Sequence, residues 1–107
     1  MKKIIPLLLL LLISLSSIAF AEQGQVVYFN SNRYSVVIAT SSGYTCGEVT
    51  MFKTGLWELD RGDMLAGDLN SFGSHDVYDM ARDRTISLWI DDVMLNEDQA
   101  FDWIQNH

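Results

Sequence analysis

The sequence predicts a small, mainly β domain: a five-stranded barrel followed by a short C-terminal α-helix. Apolar runs of about six to nine residues recur between turn formers, which is typical of all-β sandwiches and barrels. Gly47 and Gly67 each stand inside such a run, where a strand bends or lies close to another backbone. The apolar spacing becomes helical only after Asn96.

The first 21 residues predict an export signal that is not part of the fold. Met1 is followed by two lysines, an apolar run from Ile4 and an Ala-Phe-Ala ending at Ala21, which are the three parts of a secretory signal peptide. The run is shorter than the roughly 20 residues that a membrane-spanning helix needs. We therefore expect cleavage after Ala21, no stable membrane anchor after cleavage, and a periplasmic or secreted protein.

The remaining residues, 22–107, have the length of one small domain and a strong excess of acids. Five basic residues stand against 14 acidic ones once Lys2 and Lys3 are removed, which gives a formal charge of −9. A surface of this charge repels phosphate backbones, so no nucleic acid partner is expected. Cys46 is the single cysteine and has no internal partner for a disulfide, so we expect a small buried hydrophobic residue.

The first three strands are predicted from branched and aromatic side chains. Segments 25–30 and 34–40 are separated by a short polar turn and are expected to pair as a hairpin. Segment 44–52 alternates more regularly, with Gly47 at its centre. Its two predicted faces are Tyr44, Cys46, Glu48, Thr50 and Phe52 on one side, and Thr45, Gly47, Val49 and Met51 on the other.

The fourth strand is predicted at 63–69, after a short extended segment at 56–59 and a turn at 60–62. Gly67 lies between Leu65 and Leu69 on the predicted inner face, where it leaves room for a sharp bend or a crossing strand.

The same region carries a family resemblance. The residues involved are Leu59, Gly62, Asp63, Met64, Leu65, Gly67, Leu69 and Gly73. Their spacing over residues 59–73 resembles the strand-opening signature of S1-type members of the OB fold and, more loosely, of SH3-like barrels. The resemblance implies an OB-like or SH3-like barrel. S1-type modules that bind RNA carry basic and aromatic residues on exposed strands, whereas this chain is acidic, so RNA binding is not inferred.

The spacing of apolar residues predicts the structure of the last β segments and of the C-terminal tail. Segment 74–80 fits either a short strand or an ordered loop. Segment 85–92 is a strand, with Trp89 on its outer face and an inner face formed by Ile86, Leu88 and Ile90. Asn96 and Gln99 form a capping box that begins a helix at 97–106. Phe101 and Ile104 are expected to cover an open end or seam of the barrel.

Two short motifs are explained by turn and strand geometry. Arg61-Gly62-Asp63 spells an adhesion tripeptide, but the turn chemistry of Asp60 to Gly62 accounts for it. Ser74-His75-Asp76 contains the residue types of a hydrolase triad, but consecutive residues of an extended chain point in alternate directions. We therefore predict no catalytic residues, no cofactor and a protein that is not an enzyme.

A divalent-metal site is the second possibility, with His75 and Asp79 as the best placed ligands. Carboxylates and imidazole suit several divalent ions, and further acids lie nearby in the sequence. No calcium-loop spacing and no paired cysteines accompany them, and acids also belong in polar turns. This alternative describes a periplasmic protein that binds a metal or a small ligand through His75 and nearby acids.

The aromatic residues are the strongest candidates for a binding face. A core this small buries only some of them, so Tyr44, Trp57 and Trp89 are predicted to bind a ligand. The preferred hypothesis is a non-catalytic binding or accessory module of the bacterial cell envelope, with a protein, peptide or glycan as its partner.

Overall fold

The computed structural model describes residues 22–107, so the predicted signal peptide at 1–21 lies outside the described residues. Six antiparallel strands form a closed barrel in the order β1-β2-β3-β6-β5-β4, and β4 pairs with β1 to complete the closure. The elements are β1 (Glu22–Asn30), β2 (Ser35–Thr40), β3 (Gly43–Phe52), β4 (Met64–Gly67), β5 (Gly73–Asp79), β6 (Arg84–Leu95) and α1 (Glu97–Gln105). The predicted class, a small β barrel with a short C-terminal helix, is confirmed.

The barrel has six strands where the sequence predicted five. The additional strand is β5, the segment whose sequence fitted either a short strand or an ordered loop. Only Val77 and Asp79 are fully buried on β5, and the other side chains are polar or exposed, so its apolar periodicity is weak. The segment at 56–59 is not a strand and belongs to the connection between β3 and β4.

Side chains from all six strands fill the barrel interior. Ile86, Leu88 and Ile90 of β6 point inward as predicted, and Trp89 points outward with 49% of its surface exposed. The other buried members of this inner core are Val26, Val36, Ile38, Val49, Phe52, Leu59, Leu65, Leu69 and Val77.

A bulge in β3 overturns the predicted alternation of that strand. Val49 and Phe52 were expected on opposite faces, yet both lie in the inner core. The register between β3 and β6 shifts between Val49 and Met51, so the extra residue returns Phe52 to the inner face. Met51 is left half-exposed.

Both interior glycines stand where strands approach closely, as the sequence predicted. A Cβ atom on Gly47 would collide with the backbone carbonyl oxygen of Trp89 in the neighbouring strand. Gly67 has a φ of +154° and a Cβ there would lie 2.9 Å from Val77 Cγ1. Each position therefore requires a residue without a side chain.

The helix α1 begins at the predicted capping box. Asn96 Oδ1 accepts a hydrogen bond from the Gln99 amide at 2.8 Å, and Gln99 Oε1 accepts one from the Asn96 amide at 2.9 Å. Only Asn96 separates the last residue of β6 from the helix, so the chain folds back over the strands it has just left. No helix among residues 22–107 has the length and apolar character needed to cross a membrane.

The position of α1 corrects the expectation that it covers an open end or seam of the barrel. It packs on the outer face, where Ala100 forms a second, smaller core with Val37 and Cys46. Trp103 and Ile104 pack against this core. Phe101, also expected in the contact, is 60% exposed. Cys46 is fully buried, as its place in an apolar run predicted.

Candidate functional site

The three aromatic residues predicted to bind a ligand lie in separate places. Trp89 is on the outer face of β6 between Glu48 and Ser74, and its Nε1 donates a hydrogen bond to Asp91 Oδ1 at 3.0 Å. Tyr44 pairs with Leu95 of β6, six residues beyond Trp89, which corresponds to about 20 Å along the strand. These two side chains therefore do not share one binding face.

Trp57 belongs to the connection between β3 and β4 and is half-exposed. Its ring lies 5.5 Å from that of Phe52 and 5.8 Å from that of Tyr34, measured between centroids. Because Phe52 is part of the inner core, Trp57 covers an edge of that core while one side stays in solvent. Packing alone accounts for its position.

Asp79, one of the two predicted metal ligands, is buried and bound to cations of the protein. Arg84 Nε donates to Asp79 Oδ2 at 3.0 Å, and the Arg82 Nη1 atom lies 3.8 Å from the same oxygen. The Ala81 amide donates to the other carboxylate oxygen at 3.2 Å. The charge of Asp79 is therefore neutralised within the fold.

His75, the other predicted ligand, is on β5 and faces a different set of groups. Its Nε2 atom lies 3.1 Å from the carbonyl oxygen of Phe72, and its Nδ1 atom lies 3.9 Å from Asp68 Oδ2. Across residues 22–107, no three His, Cys, Asp or Glu side chains converge in an arrangement that would hold a metal ion.

The residues of the Ser74-His75-Asp76 motif do not converge. Ser74 and Asp76 are exposed, whereas His75 is on the opposite, half-buried face of the strand. Asp76 accepts a hydrogen bond from Ser87 Oγ at 2.6 Å. That bond, together with the charge of Lys53, lowers the pKa of Asp76 below its usual value.

The Arg61-Gly62-Asp63 motif forms a turn against β1. The Asp63 amide donates to the Asp60 carbonyl at 3.0 Å, and the Gly62 amide donates to the Val26 carbonyl at 2.7 Å. The Asp63 carboxylate is mostly buried and binds Arg82. The acid of the tripeptide is thus used within the fold.

Sequence reasoning missed an apolar cleft between α1 and the outer faces of β1, β2 and β3. We call it the helix cleft. It has a volume of about 160 Å³ and contains Tyr44, one of the three predicted aromatics. Its other lining residues are Val27, Val37, Glu97, Ala100, Phe101 and Ile104.

The helix side of this cleft carries a periodic signal that the sequence does contain. Glu97, Phe101 and Ile104 are spaced four and three residues apart, so they line one side of α1. Phe101 leaves 60% of its surface in solvent although it adjoins an apolar lining. The strand residues that line the cleft, Val27 and Val37, carry no such signal, because their strands are far from α1 in the sequence.

The thiol of Cys46 lies beneath the helix and is unreactive. Burial raises its pKa to about 12, and the nearby charges of Asp92 and Asp91 add to the shift. A thiol in this state is protonated at neutral pH and is not a nucleophile.

These features define a class of protein: a closed six-stranded barrel with a helix on its outer face and an apolar cleft beside that helix. No protein-family model, curated protein or solved structure was found to match the chain. The function is therefore inferred from the site itself.

Proposed function

We propose that this protein is an exported, non-catalytic binding or accessory module of the bacterial cell envelope, and that it binds a protein or peptide partner at the helix cleft. The size of the cleft carries this proposal. At about 160 Å³ it is well below the roughly 300–1,000 Å³ of small-molecule sites. It is close to a cavity of about 150 Å³ that accepts one benzene ring. A cleft of this size suits one large side chain of a macromolecule.

The chemistry of the lining favours a protein over a glycan. Five of the seven lining residues are aliphatic side chains or Phe101, and only Tyr44 and Glu97 carry polar side-chain atoms. Sugar hydroxyls need several hydrogen-bond partners, whereas an aliphatic or aromatic side chain needs only apolar contact. The exposed ring of Phe101 supplies that contact at the entrance of the cleft.

Other features support a role without catalysis. The buried Cys46 thiol is held in its protonated form, and the Asp79 carboxylate is bound by Arg84. The second predicted function, metal or small-ligand binding through His75 and Asp79, gains no support from this arrangement, because Asp79 already has a cationic partner.

A pull-down from the envelope fraction of the producing cells tests the proposal. The baits are the purified protein expressed from the full-length chain, its Phe101→Ser variant and its Phe72→Ser variant. Phe72 is an exposed phenylalanine, at 65%, that does not line the cleft, so it is a matched control. We expect one protein to be retained by the wild type and by Phe72→Ser and lost with Phe101→Ser.

A partner retained equally by all three baits would contradict the proposal, as would the retention of glycan fragments alone. A parallel NMR titration with Zn²⁺ and Ca²⁺ addresses the second function. Saturable shifts of the His75 and Asp79 amides, together with no partner in the pull-down, would favour that alternative.

A further inference from the structure

The helix cleft lies beside a group of acidic residues on and around α1. Helix α1 carries Glu97, Asp98 and Asp102 and no basic residue. The positive end of the helix dipole is equivalent to roughly half a charge, so it offsets only a small part of these three carboxylates. Glu97 is itself a lining residue of the cleft.

Two further acids follow one another on β6. Asp92 pairs with Cys46, beneath the helix, and Asp91 accepts a hydrogen bond from Trp89 Nε1 at 3.0 Å. Asp92 and Asp102 also line a shallow depression on the other side of α1. Within residues 22–107, none of these acids or the three acids of α1 is in an ion pair with Lys or Arg.

Three of the five Lys and Arg residues in this part of the chain pair with acids outside α1, and Arg61 lies exposed in the turn at 60–63. Arg82 binds Asp60 and Asp63, and Arg84 binds Asp79. Lys53 lies 3.7 Å from Asp76.

Arg33 and His107 lie near α1, at the end of the helix remote from Glu97. Arg33 donates to the carbonyl oxygen of Asn106 at 3.1 Å. Asn106 follows Glu97 by nine residues, which is about 13 Å along a helix axis. Glu97 is exposed beside the cleft, and no Lys or Arg among residues 22–107 is in ion-pair contact with it.

We infer that the helix cleft binds a cationic amphipathic segment of the partner protein. One large apolar side chain of the segment occupies the cleft, and Lys or Arg side chains lie over Glu97 and the other acids of α1. This inference rests on the proposed function and adds the chemistry of the partner.

The arrangement of Glu97 and Phe101 suits such a segment. Because they are four residues apart on α1, the carboxylate and the ring are neighbours on the helix surface. A Lys or Arg side chain can lay its aliphatic stem along the exposed ring of Phe101 and bring its charged group to Glu97. The same acids repel an acidic segment and an anionic lipid surface, so they select the partner by charge.

Three synthetic peptides with blocked ends serve as probes. The first carries one Phe among Lys and Ala residues, the second replaces every Lys with Glu, and the third keeps the Lys and replaces the Phe with Ser. Binding to the purified protein expressed from the full-length chain is followed by calorimetry and by the NMR amide signals of Tyr44 and Phe101. We expect the first peptide to bind more tightly than the other two and to shift those signals.

Two substitutions and a change of ionic strength test whether Glu97 and the other acids of α1 contribute to binding. Glu97→Gln is expected to weaken binding of the first peptide by roughly two- to fivefold, the usual range for one exposed charge pair. Glu58→Gln removes the same charge from the exposed connection held by Arg84 and leaves the affinity unchanged. Raising the salt concentration from about 0.05 M to about 0.5 M weakens binding of the first peptide further, because screening shortens the reach of the acids.

The outcomes separate the inference from the proposed function. If the Glu peptide binds at Tyr44 and Phe101 as tightly as the Lys peptide, the inference of a cationic partner is wrong. The proposal that the apolar cleft binds a protein is then unaffected. If the Lys peptide binds equally with and without its Phe, the contact is only electrostatic and both ideas fail at this cleft. If no peptide shifts Tyr44 or Phe101, the inference is overturned, and the pull-down with Phe101→Ser decides the proposed function independently.

Discussion

Arg84 and Asp79 form an ion pair that joins the β5–β6 hairpin to the connection before β4. The Nε atom of Arg84 donates to Asp79 Oδ2 at 3.0 Å, and both side chains are almost completely buried. The two terminal nitrogens of the guanidinium donate to the carbonyl oxygens of Thr54, Leu56 and Glu58. One side chain thus holds a connection that has no regular secondary structure of its own.

Replacing Arg84 with Ala is expected to reduce the free energy of unfolding by about 3–5 kcal/mol, since the buried Asp79 carboxylate loses its hydrogen-bonded cation and keeps only the more distant Arg82. Three carbonyl groups of the 53–59 segment also lose a donor. Urea unfolding followed by tryptophan fluorescence measures the change. The control is Lys53→Ala, which removes an exposed ion pair with Asp76 and should reduce the free energy of unfolding far less, because solvent screens that pair. Equal losses for the two variants would show that the Arg84 pair has no special role.

Gly47 should not tolerate even a methyl group. The Cβ atom of Gly47→Ala would collide with the carbonyl oxygen of Trp89, which is backbone and cannot rotate away. Overpacking of this kind costs about 1–3 kcal/mol or more, because β3 and β6 must separate at this position. Thermal unfolding measures the loss.

Gly73 provides the comparison for Gly47. A Cβ atom there meets nothing within 4 Å, but its φ of +96° is unfavourable for other residues. Gly73→Ala therefore measures the conformational cost without a steric clash. A larger loss for Gly73→Ala than for Gly47→Ala would contradict the assigned close approach of β3 and β6.

Cys46 should react with thiol reagents only after unfolding. Its pKa is raised to about 12 in the folded protein, chiefly by burial, from an ordinary value of 9.0. Because the folded state keeps the proton, the contribution of Cys46 to stability is complete below about pH 9 and is lost as the pH rises towards 12. The measurement is the free energy of unfolding against pH for the wild type and Cys46→Ala. The wild type should fall more steeply above pH 9, and parallel curves would rule out the shift.

Asn96→Ala should destabilise α1 and release it from the outer face. The substitution removes the side-chain acceptor for the Gln99 amide, and losses of this kind cost about 0.5–2 kcal/mol. A helix of nine residues has little stability without its cap and its packing. Hydrogen exchange of the helix amides and the reactivity of Cys46 should both increase. Asn32→Ala, in the exposed β1–β2 turn, should change neither.

The sequence predicted those elements whose pattern is local. Ile86, Leu88 and Ile90 alternate with polar or outward side chains, so the inner face of β6 was visible from spacing alone. Asn96 and Gln99 specify the helix start through contacts three residues apart. The need for glycine at position 47 followed from its place within a segment of alternating side chains.

Longer-range features were not predictable in the same way. The bulge after Val49 depends on the pairing of β3 with β6, so alternation along β3 gave the wrong face for Phe52. Strand β5 has few apolar side chains, and its strand character comes from pairing with β4 and β6 on either side. Asp79 was predicted as a metal ligand because the sequence shows an acidic side chain at that position. Its packing against Arg84 depends on the fold and could not be inferred from the sequence.

By itself, the sequence determined a small acidic β barrel with a capped C-terminal helix, because strand alternation, turn chemistry and helix capping act over a few residues. Only the tertiary structure decided that α1 lies on the outer face and that Tyr44 and Phe101 border one cleft. These two residues are far apart in the chain and come together because β3 pairs with β6, which places Tyr44 opposite Leu95, next to the start of α1. The cleft and its charge are therefore properties of the fold and not of any one segment.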